Sequence, residues 1–263
     1  MKIGIVINPL IEEAVRLAKK LKEKIPAPHE LLFDERTARA LGEKASDISE
    51  AEVVITLGGD GTVLRAHALA QDAHILAINM GDRGFLAEVK KDEAERAVEL
   101  LLEKKLEVVE RTRLKVEFGE KIPEALNDVV IFSAVPGKTV TLKVSVDGKK
   151  IFSFRGDGVI VSTPTGSTAY TRAAGGPIIF PGVECIVVTA ICPSSKPIPP
   201  IVLPAKSRVD VEVCLPGQEG LLIVDGLERA RLPHGSVVKI SASESGAKFF
   251  KWGEFCRSLE KIL

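Results

Sequence analysis

From Met1 to about residue 105, short apolar runs alternate with stretches of helical period. Lys2–Ile7 is an apolar run stopped by Asn8-Pro9, and Ile11, Ala14, Val15, Ala18 and Leu21 then recur at helical spacing. This predicts a strand and its crossover helix. A second run, Val53–Leu57, ends abruptly in Gly58-Gly59-Asp60-Gly61-Thr62, after which Leu64, Ala66, Ala68, Leu69 and Ala70 read as another helix. Ile75–Ile78 leads into the turn Met80-Gly81-Asp82-Arg83-Gly84. Asp92–Lys104, with Ala94, Ala97, Val98, Leu101 and Leu102 on one face, closes this half as a helix. Such alternation is the pattern of a parallel sheet covered by helices.

Beyond residue 105 the period changes to short runs rich in Val, Ile, Thr and Phe, separated by Asp-Gly or Pro-Gly. Strands are expected at Leu114–Phe118, Asp128–Ser133, Thr139–Val146, Ile151–Phe154, Gly158–Val161, Cys185–Ile191, Arg208–Cys214, Leu221–Val224 and Val237–Ser241. The runs flanking Asp147-Gly148 predict a hairpin, because both central residues of a type I′ turn need positive φ and Asp-Gly tolerates it. A second Asp225-Gly226 follows Val224. Pro193–Pro204 holds five prolines, which cannot donate ladder hydrogen bonds, and reads as a loop. The expected organisation is therefore an N-terminal α/β domain over 1–108 carrying the glycine turn and an all-β domain over 109–247. The tail, 248–263, reads as ending in a short helix and running back to the first domain.

Composition narrows the function. The 36 Lys+Arg residues balance 36 Asp+Glu, so the chain lacks the basic excess of a nucleic-acid or anionic-membrane binder. Apolar stretches reach about half of the ~20 residues that a membrane span needs. Four cysteines without a Cys-x-x-Cys pair, behind a start that reads as a strand, point to a reducing cytoplasm. Only three Asn, two Gln and two Met stand beside abundant Glu and Lys, a bias that suggests a thermophilic source. A chain so poor in Asn raises the question of what Asn8, Asn79 and Asn127 each do.

The Gly58–Thr62 string sits between a buried strand and a helix, where ligands bind in open α/β sheets. Glycines permit positive φ and remove Cβ atoms, so a phosphate can approach backbone N–H groups near a helix N-terminus, which Thr62 would cap. Asp60 would repel a phosphate, and is better suited to taking a proton from a hydroxyl or helping to hold Mg²⁺. No G-x-x-x-x-G-K-[ST] or complete G-x-G-x-x-G is present, and the four histidines form neither H-E-x-x-H nor a zinc spacing with cysteine. The stretch from Arg155 to Pro177 combines Gly156-Asp157-Gly158 with a run of Ser, Thr and Gly and the chain's only Tyr, Tyr170. Hydroxyl-rich loops suit a flat polar ligand with ring edges and ribose hydroxyls, and Tyr170 is placed to stack on a base. Asn127-Asp128, at a strand start, offers an amide able to read an adenine edge beside a carboxylate. Alone it would mean only a turn.

Taken in order and spacing, Gly58-Gly59-Asp60-Gly61-Thr62, Asn127-Asp128 and the Gly156–Pro177 stretch resemble the NAD kinase family over most of the chain. The first string alone is shared with diacylglycerol-type lipid kinases and resembles one in phosphofructokinases; the third points to NAD. The resemblance implies an N-terminal Rossmann-like α/β domain, a C-terminal β-sandwich, a site between them and homo-oligomers. It implies transfer of a phosphoryl group from ATP or polyphosphate to the 2′-hydroxyl of the adenosine ribose of NAD, with Mg²⁺ carried by the phosphates. It makes Asp60 catalytic, with Gly58, Gly59, Gly61, Thr62 and Arg65 around the nucleotide. Asn127 and Asp128 would hold the adenosine end. Asp157, Thr165, Thr168, Ala169, Tyr170, Thr171, Arg172 and Ala173 would line the rest, with Arg155 near phosphate and Cys192 and Asp225 as weaker matches. The chain departs from the family pattern in three places: Asp128 where Glu is commoner, Cys192 where Ala is usual, and Met80-Gly81-Asp82-Arg83-Gly84-Phe85-Leu86, which varies from the commoner N-x-G-x-L-G-F-L and adds two charges near the site.

Overall fold

The computed structural model describes residues 1–81, 84–253, 255 and 259–260. The charged pair Asp82 and Arg83, Cys256 and most of the expected tail helix lie outside the described residues. The chain divides into two compact units, residues 1–111 with 247–263, and residues 112–246.

The first unit runs β1 (Lys2–Ile7), α1 (Glu12–Lys24), β2 (Glu30–Phe33), α2 (Glu35–Leu41), β3 (Val53–Gly58), α3 (Asp60–Leu69), β4 (His74–Asn79), β5 (Val89–Lys90), α4 (Ala94–Leu102) and β6 (Val108–Arg111). β1, β2, β3 and β4 are mutually parallel, and β5 pairs parallel with the end of β4. The alternation along β1 explains the layering. Ile3, Ile5 and Ile7 pack with Ala14, Ala18 and Leu21 of α1 and Ala97, Val98 and Leu101 of α4, whereas Val6 packs with Val54, Ile48 and Ala66 of α3 on the opposite face. Covered on both faces, β3 is buried along its whole length, as parallel strands usually are. Glu12 and Glu13 at the start of α1 and Lys22 and Lys24 at its end complement the helix dipole. The predicted helix over 92–104 begins with a 3₁₀ turn at Lys91–Glu93 before α4 proper.

The second unit continues with β7 (Leu114–Glu117), β8 (Asp128–Ser133), β9 (Val140–Val146), β10 (Lys149–Gly156), β11 (Gly158–Ser162), α5 (Tyr170–Ala173), β12 (Cys185–Ile191), β13 (Ile201–Pro204), β14 (Val209–Cys214), β15 (Gly220–Val224), β16 (Leu227–Leu232) and β17 (Val237–Ala242). The last strand, β18 (Ala247–Phe250), joins the first unit's sheet between β4 and β6. In the second unit a five-stranded sheet, β10-β9-β14-β17-β7, and a six-stranded sheet, β13-β12-β11-β8-β15-β16, enclose one core. Alternate residues such as Val129, Ile131, Val159 and Val161 point into it, together with Leu142, Val211 and Ile240 from the other sheet. Both Asp-Gly pairs take positive φ, 49° and 76° at Asp147 and Gly148 and 49° and 78° at Asp225 and Gly226, as a type I′ turn requires.

Pro193–Pro204 is not loop throughout: its last four residues form β13, an edge strand on β12 with Pro204 opposite Cys185. An edge tolerates proline because the missing N–H faces no neighbour. The chain passes from one sheet to the other at Gly156-Asp157-Gly158, where backbones crowd. A Cβ on Gly158 would stand 2.4 Å from Ile131 O, and one on Gly156 would stand 2.9 Å from the carbonyl oxygens of Ile191 and Cys192. Gly158→Ala is therefore expected to destabilise the second unit by about 1–3 kcal/mol through overpacking, read as a lower denaturant midpoint. An unchanged midpoint would contradict this tight crossing.

Candidate active site

The first unit presents Asp60 at the carboxyl edge of its parallel strands. β3 ends at Gly58, Gly59 is the N-cap with no side-chain cap bond, and α3 starts at Asp60 itself. Thr62 is therefore not the cap expected from the sequence. It lies inside the first turn, buried, and a Cβ on Gly58 would stand 2.1 Å from its Oγ1. That contact explains Gly58. The left-handed freedom expected of the string is unused, since Gly58, Gly59 and Gly61 all keep φ outside the positive range. Around Gly59 and Gly61 a Cβ would meet nothing within 4 Å, so the backbone at the start of α3 lies uncovered. The Thr62 N–H already donates to Gly59 O at 2.9 Å, so an anion at this uncovered helix N-terminus would meet the N–H groups before it.

The Asp60 carboxylate is fixed from the segment after β4. Its Oδ2 accepts the N–H of Phe85 at 2.9 Å, and its Oδ1 accepts those of Leu86 at 3.0 Å and Ala87 at 3.2 Å. A carboxylate has about four acceptor positions, so among the described residues three donors leave one, on Oδ2. Asn79, at the end of β4, caps the intervening turn by accepting the Gly81 N–H at 2.8 Å. Gly84 fits because a Cβ there would stand 2.9 Å from Asn79 Nδ2 and 3.1 Å from Asp60 Oδ1. No residue letter marks these amide donors, since every residue type but proline carries the same backbone N–H. Arg65 is spent internally: one nitrogen donates to Ile7 O at 2.6 Å and lies 3.6 Å from the Asp34 carboxylate.

In the second unit the candidate residues form a polar wall where β8 starts and β11 ends. Asp225 is its organising residue. From the turn after β15 its carboxylate accepts the N–H groups of Leu126 at 2.7 Å, Asn127 at 2.8 Å and Asp128 at 3.1 Å. The segment is tied from the other side by Thr163, whose N–H donates to Asn127 O and whose hydroxyl donates to Leu126 O. Gly166 closes onto it; a Cβ there would stand 2.1 Å from Asn127 O. Each asparagine now has an account. Asn8 and Asn79 accept backbone N–H groups in turns, whereas the side-chain oxygen of Asn127 is buried with no hydrogen-bond partner. A buried amide oxygen without a donor is costly, and a ligand N–H or water is what it needs.

Asp128 lies against the same wall, opposite Ser162 in register. Burial first, and then the Asp225 carboxylate, push its carboxyl up to about 7. Burial also raises Asp225, against the three N–H bonds that pull it down. Thr165 and Thr168 belong to a 3₁₀ turn, Ala169 joins it to α5, and α5 holds Tyr170, Thr171, Arg172 and Ala173. Thr171 is buried with an unpartnered hydroxyl, as are Ser162 and Thr189. Tyr170 is half-exposed, its hydroxyl raised by burial and then by Cys192, Asp157 and Asp128, which places these groups near one another. Cys192 is exposed and at φ 45°, and the neighbouring Asp157 carboxylate raises its thiol. Arg155 donates to Thr139 Oγ1 at 2.6 Å. Among the described residues no three His, Cys, Asp or Glu side chains gather as a metal cage, and no helix is long and apolar enough to cross a membrane.

Comparison with known proteins identifies the family of both units. Residues 3–106 match the family model of the ATP-NAD kinase N-terminal domain, and residues 126–252 that of the ATP-NAD kinase C-terminal domain. An NAD kinase of Thermoplasma acidophilum is 35% identical over 268 residues, covering 100% of this chain and 98% of the relative. An NAD kinase of Archaeoglobus fulgidus solved with ATP superposes with a TM-score of 0.79 at 25% identity, covering 99% of this chain and 98% of that one. Yeast NADH kinase solved with NADH shares the fold, with a TM-score of 0.89 at 22% identity over 100% of this chain and 87% of that one.

The raised Asp128 carboxyl gives a pH signature. A folded-state pKa of about 7 against an unfolded value near 3.8 means that the native chain binds this proton more tightly. The stability it contributes is present at low pH and is lost as pH rises from about 4 through about 7. Asp128→Asn removes that loss, so its melting temperature is expected to exceed that of the parent by several degrees at pH 8 and by much less at pH 5. Equal differences at the two pH values, measured by calorimetry, would contradict the burial argument.

Proposed function

This chain belongs to the NAD kinase family, and we propose that it moves a phosphoryl group from ATP to the 2′-hydroxyl of the adenosine ribose of NAD, with Asp60 accepting the hydroxyl proton. The observation that carries the proposal is the Asp60 carboxylate, held by three amides beside an uncovered helix N-terminus with one acceptor position on Oδ2 to spare. A ribose hydroxyl is a poor nucleophile at neutral pH and gains from a base within reach of its proton while its oxygen lines up with the incoming phosphorus. The other demand of phosphoryl transfer is charge stabilisation, which the N–H groups at the start of α3 are suited to give. Asn127, with its unpartnered oxygen, would take the amino group of adenine, and Asp128 and the Thr165–Ala173 segment the remaining polar edges.

Magnesium would ride on the donor's phosphates. It demands near-octahedral oxygen ligation and keeps several waters, with one or two carboxylates at most. A donor set without a cluster of three carboxylates, histidines or cysteines among the described residues fits that mode. When bound, the ion would neutralise charge on the transferring group. Polyphosphate presents the same phosphate chemistry to the start of α3 and would serve as an alternative donor.

Asp60→Asn keeps one oxygen for the Leu86 and Ala87 amides but loses proton affinity. It is expected to lower kcat by about 10²–10⁴-fold with NAD affinity nearly intact, measured as NADP formed from NAD, ATP and Mg²⁺. Full turnover in this variant would overturn the assignment. Asn127→Ala is expected to raise the KM for NAD with kcat little changed, because it removes binding from ground and transition state alike. A lowered kcat at unchanged KM would contradict the role given to Asn127.

A further inference from the structure

The segment that grips Asp60 is itself gripped. Phe85, Leu86 and Ala87 give their N–H groups to Asp60. The next residue, Glu88, turns its carboxylate to the C-terminal return of the chain. Its Oε2 accepts the N–H of Gly253 at 2.9 Å and of Trp252 at 3.2 Å, and its Oε1 pairs with Arg111 at 2.7 Å. Arg111 in turn lies over the Phe249 ring of β18, 5.1 Å from its centroid. The Trp252 indole N–H donates to Glu93 at 3.1 Å, and Glu93 also accepts the Lys90 N–H. Phe255 reaches the turn itself, its ring 6.0 Å from that of Phe85. β4 shows why the two pieces meet. One edge of this strand is shared, with β18 pairing at Ile75 and β5 at Ile78 and Asn79, so the chain leaving β18 runs toward the start of β5.

Resting on the reading of Asp60 as the base, we propose that the C-terminal return is a positioning strap for the Asp60 carboxylate, acting through Glu88 and the 85–87 amides. Glu88 is a positioning residue, since none of its contacts is with a reacting group. Strands β3 and β4 fix the backbone of Asp60, but the direction of its carboxylate is set by three N–H groups on a segment with only a two-residue strand of its own. Without the strap those donors lose their fixed positions and Oδ2 its aim. Displacements of about 1 Å at a reacting group can cost ~10²-fold in rate.

The test is Glu88→Ala beside Glu88→Gln, which keeps a neutral oxygen for the Trp252 and Gly253 amides. In Glu88→Ala, amide hydrogen exchange in a peptide spanning 84–90 is expected to speed up, with kcat down about 10-fold or more and the KM for NAD unchanged. Glu88→Gln is expected to recover most of both. Trp252→Phe removes the N–H bond to Glu93 and trims the ring packed on the core while leaving Glu88 in place; it is expected to show the same pattern at smaller amplitude, which keeps the test open if Glu88→Ala does not fold. Unaltered exchange at 84–90 in Glu88→Ala and in Trp252→Phe would overturn the strap, as would a lowered kcat accompanied by an equal rise in KM. Faster exchange with full turnover would overturn the positioning role if Asp60→Asn, assayed alongside, loses turnover, and would overturn the base assignment if Asp60→Asn keeps it.

Discussion

A carboxylate drawn away from bulk water must be met by donors, and each unit of this chain meets one with backbone N–H groups from three consecutive residues. Asp60 takes those of Phe85, Leu86 and Ala87; Asp225 takes those of Leu126, Asn127 and Asp128. Backbone amides suit this task because they cannot lose their protons and have no rotamers of their own. In both places a carboxylate fixes a stretch of chain, and the stretch fixes the carboxylate. The units use the device for different ends. Asp225 spends its oxygens on backbone, so that Asn127 can keep its own side chain unspent. Among the described residues Asp60 keeps one acceptor position open, the one given to the proposed proton transfer.

The arrangement suits a reaction with little covalent work for the protein. Phosphoryl transfer asks for alignment and charge stabilisation more than for a nucleophile of the protein's own. Buried hydroxyls without partners, at Ser162, Thr171 and Thr189, and the Asn127 oxygen supply polar atoms that the fold leaves unsatisfied. Asp128 adds a carboxyl poised near neutrality, able to donate or accept with little change in pH.

Much of the fold was legible in the chain. β1, β8 and β12 begin and end where the hydrophobic pattern placed them, because each is bounded by a residue that stops a strand or exposes it. β2 and α2 were not legible, since the strand has four residues and the buried positions of the helix are only Thr37 and Ala38. β13 was hidden by its prolines, which an edge strand tolerates. The reason read into the glycine string was partly wrong: Gly58 is small to admit Thr62, not to turn left-handed. Asp60, Asn127 and Asp128 stood out by residue type. Glu88 and the 85–87 amides did not, because what they contribute is created by chain return and by backbone donors that no residue letter encodes.

The central claim is that the free acceptor position on Asp60 Oδ2 faces the sugar oxygen that is phosphorylated. A crystal structure of the chain with NAD bound tests it most directly. The account predicts the adenosine 2′-oxygen within about 3 Å of Asp60 Oδ2, with the Phe85–Ala87 amides still in place. A well-ordered dinucleotide whose 2′-oxygen lies far from residue 60, or an Asp60 carboxylate with no position left to accept a proton, would contradict it.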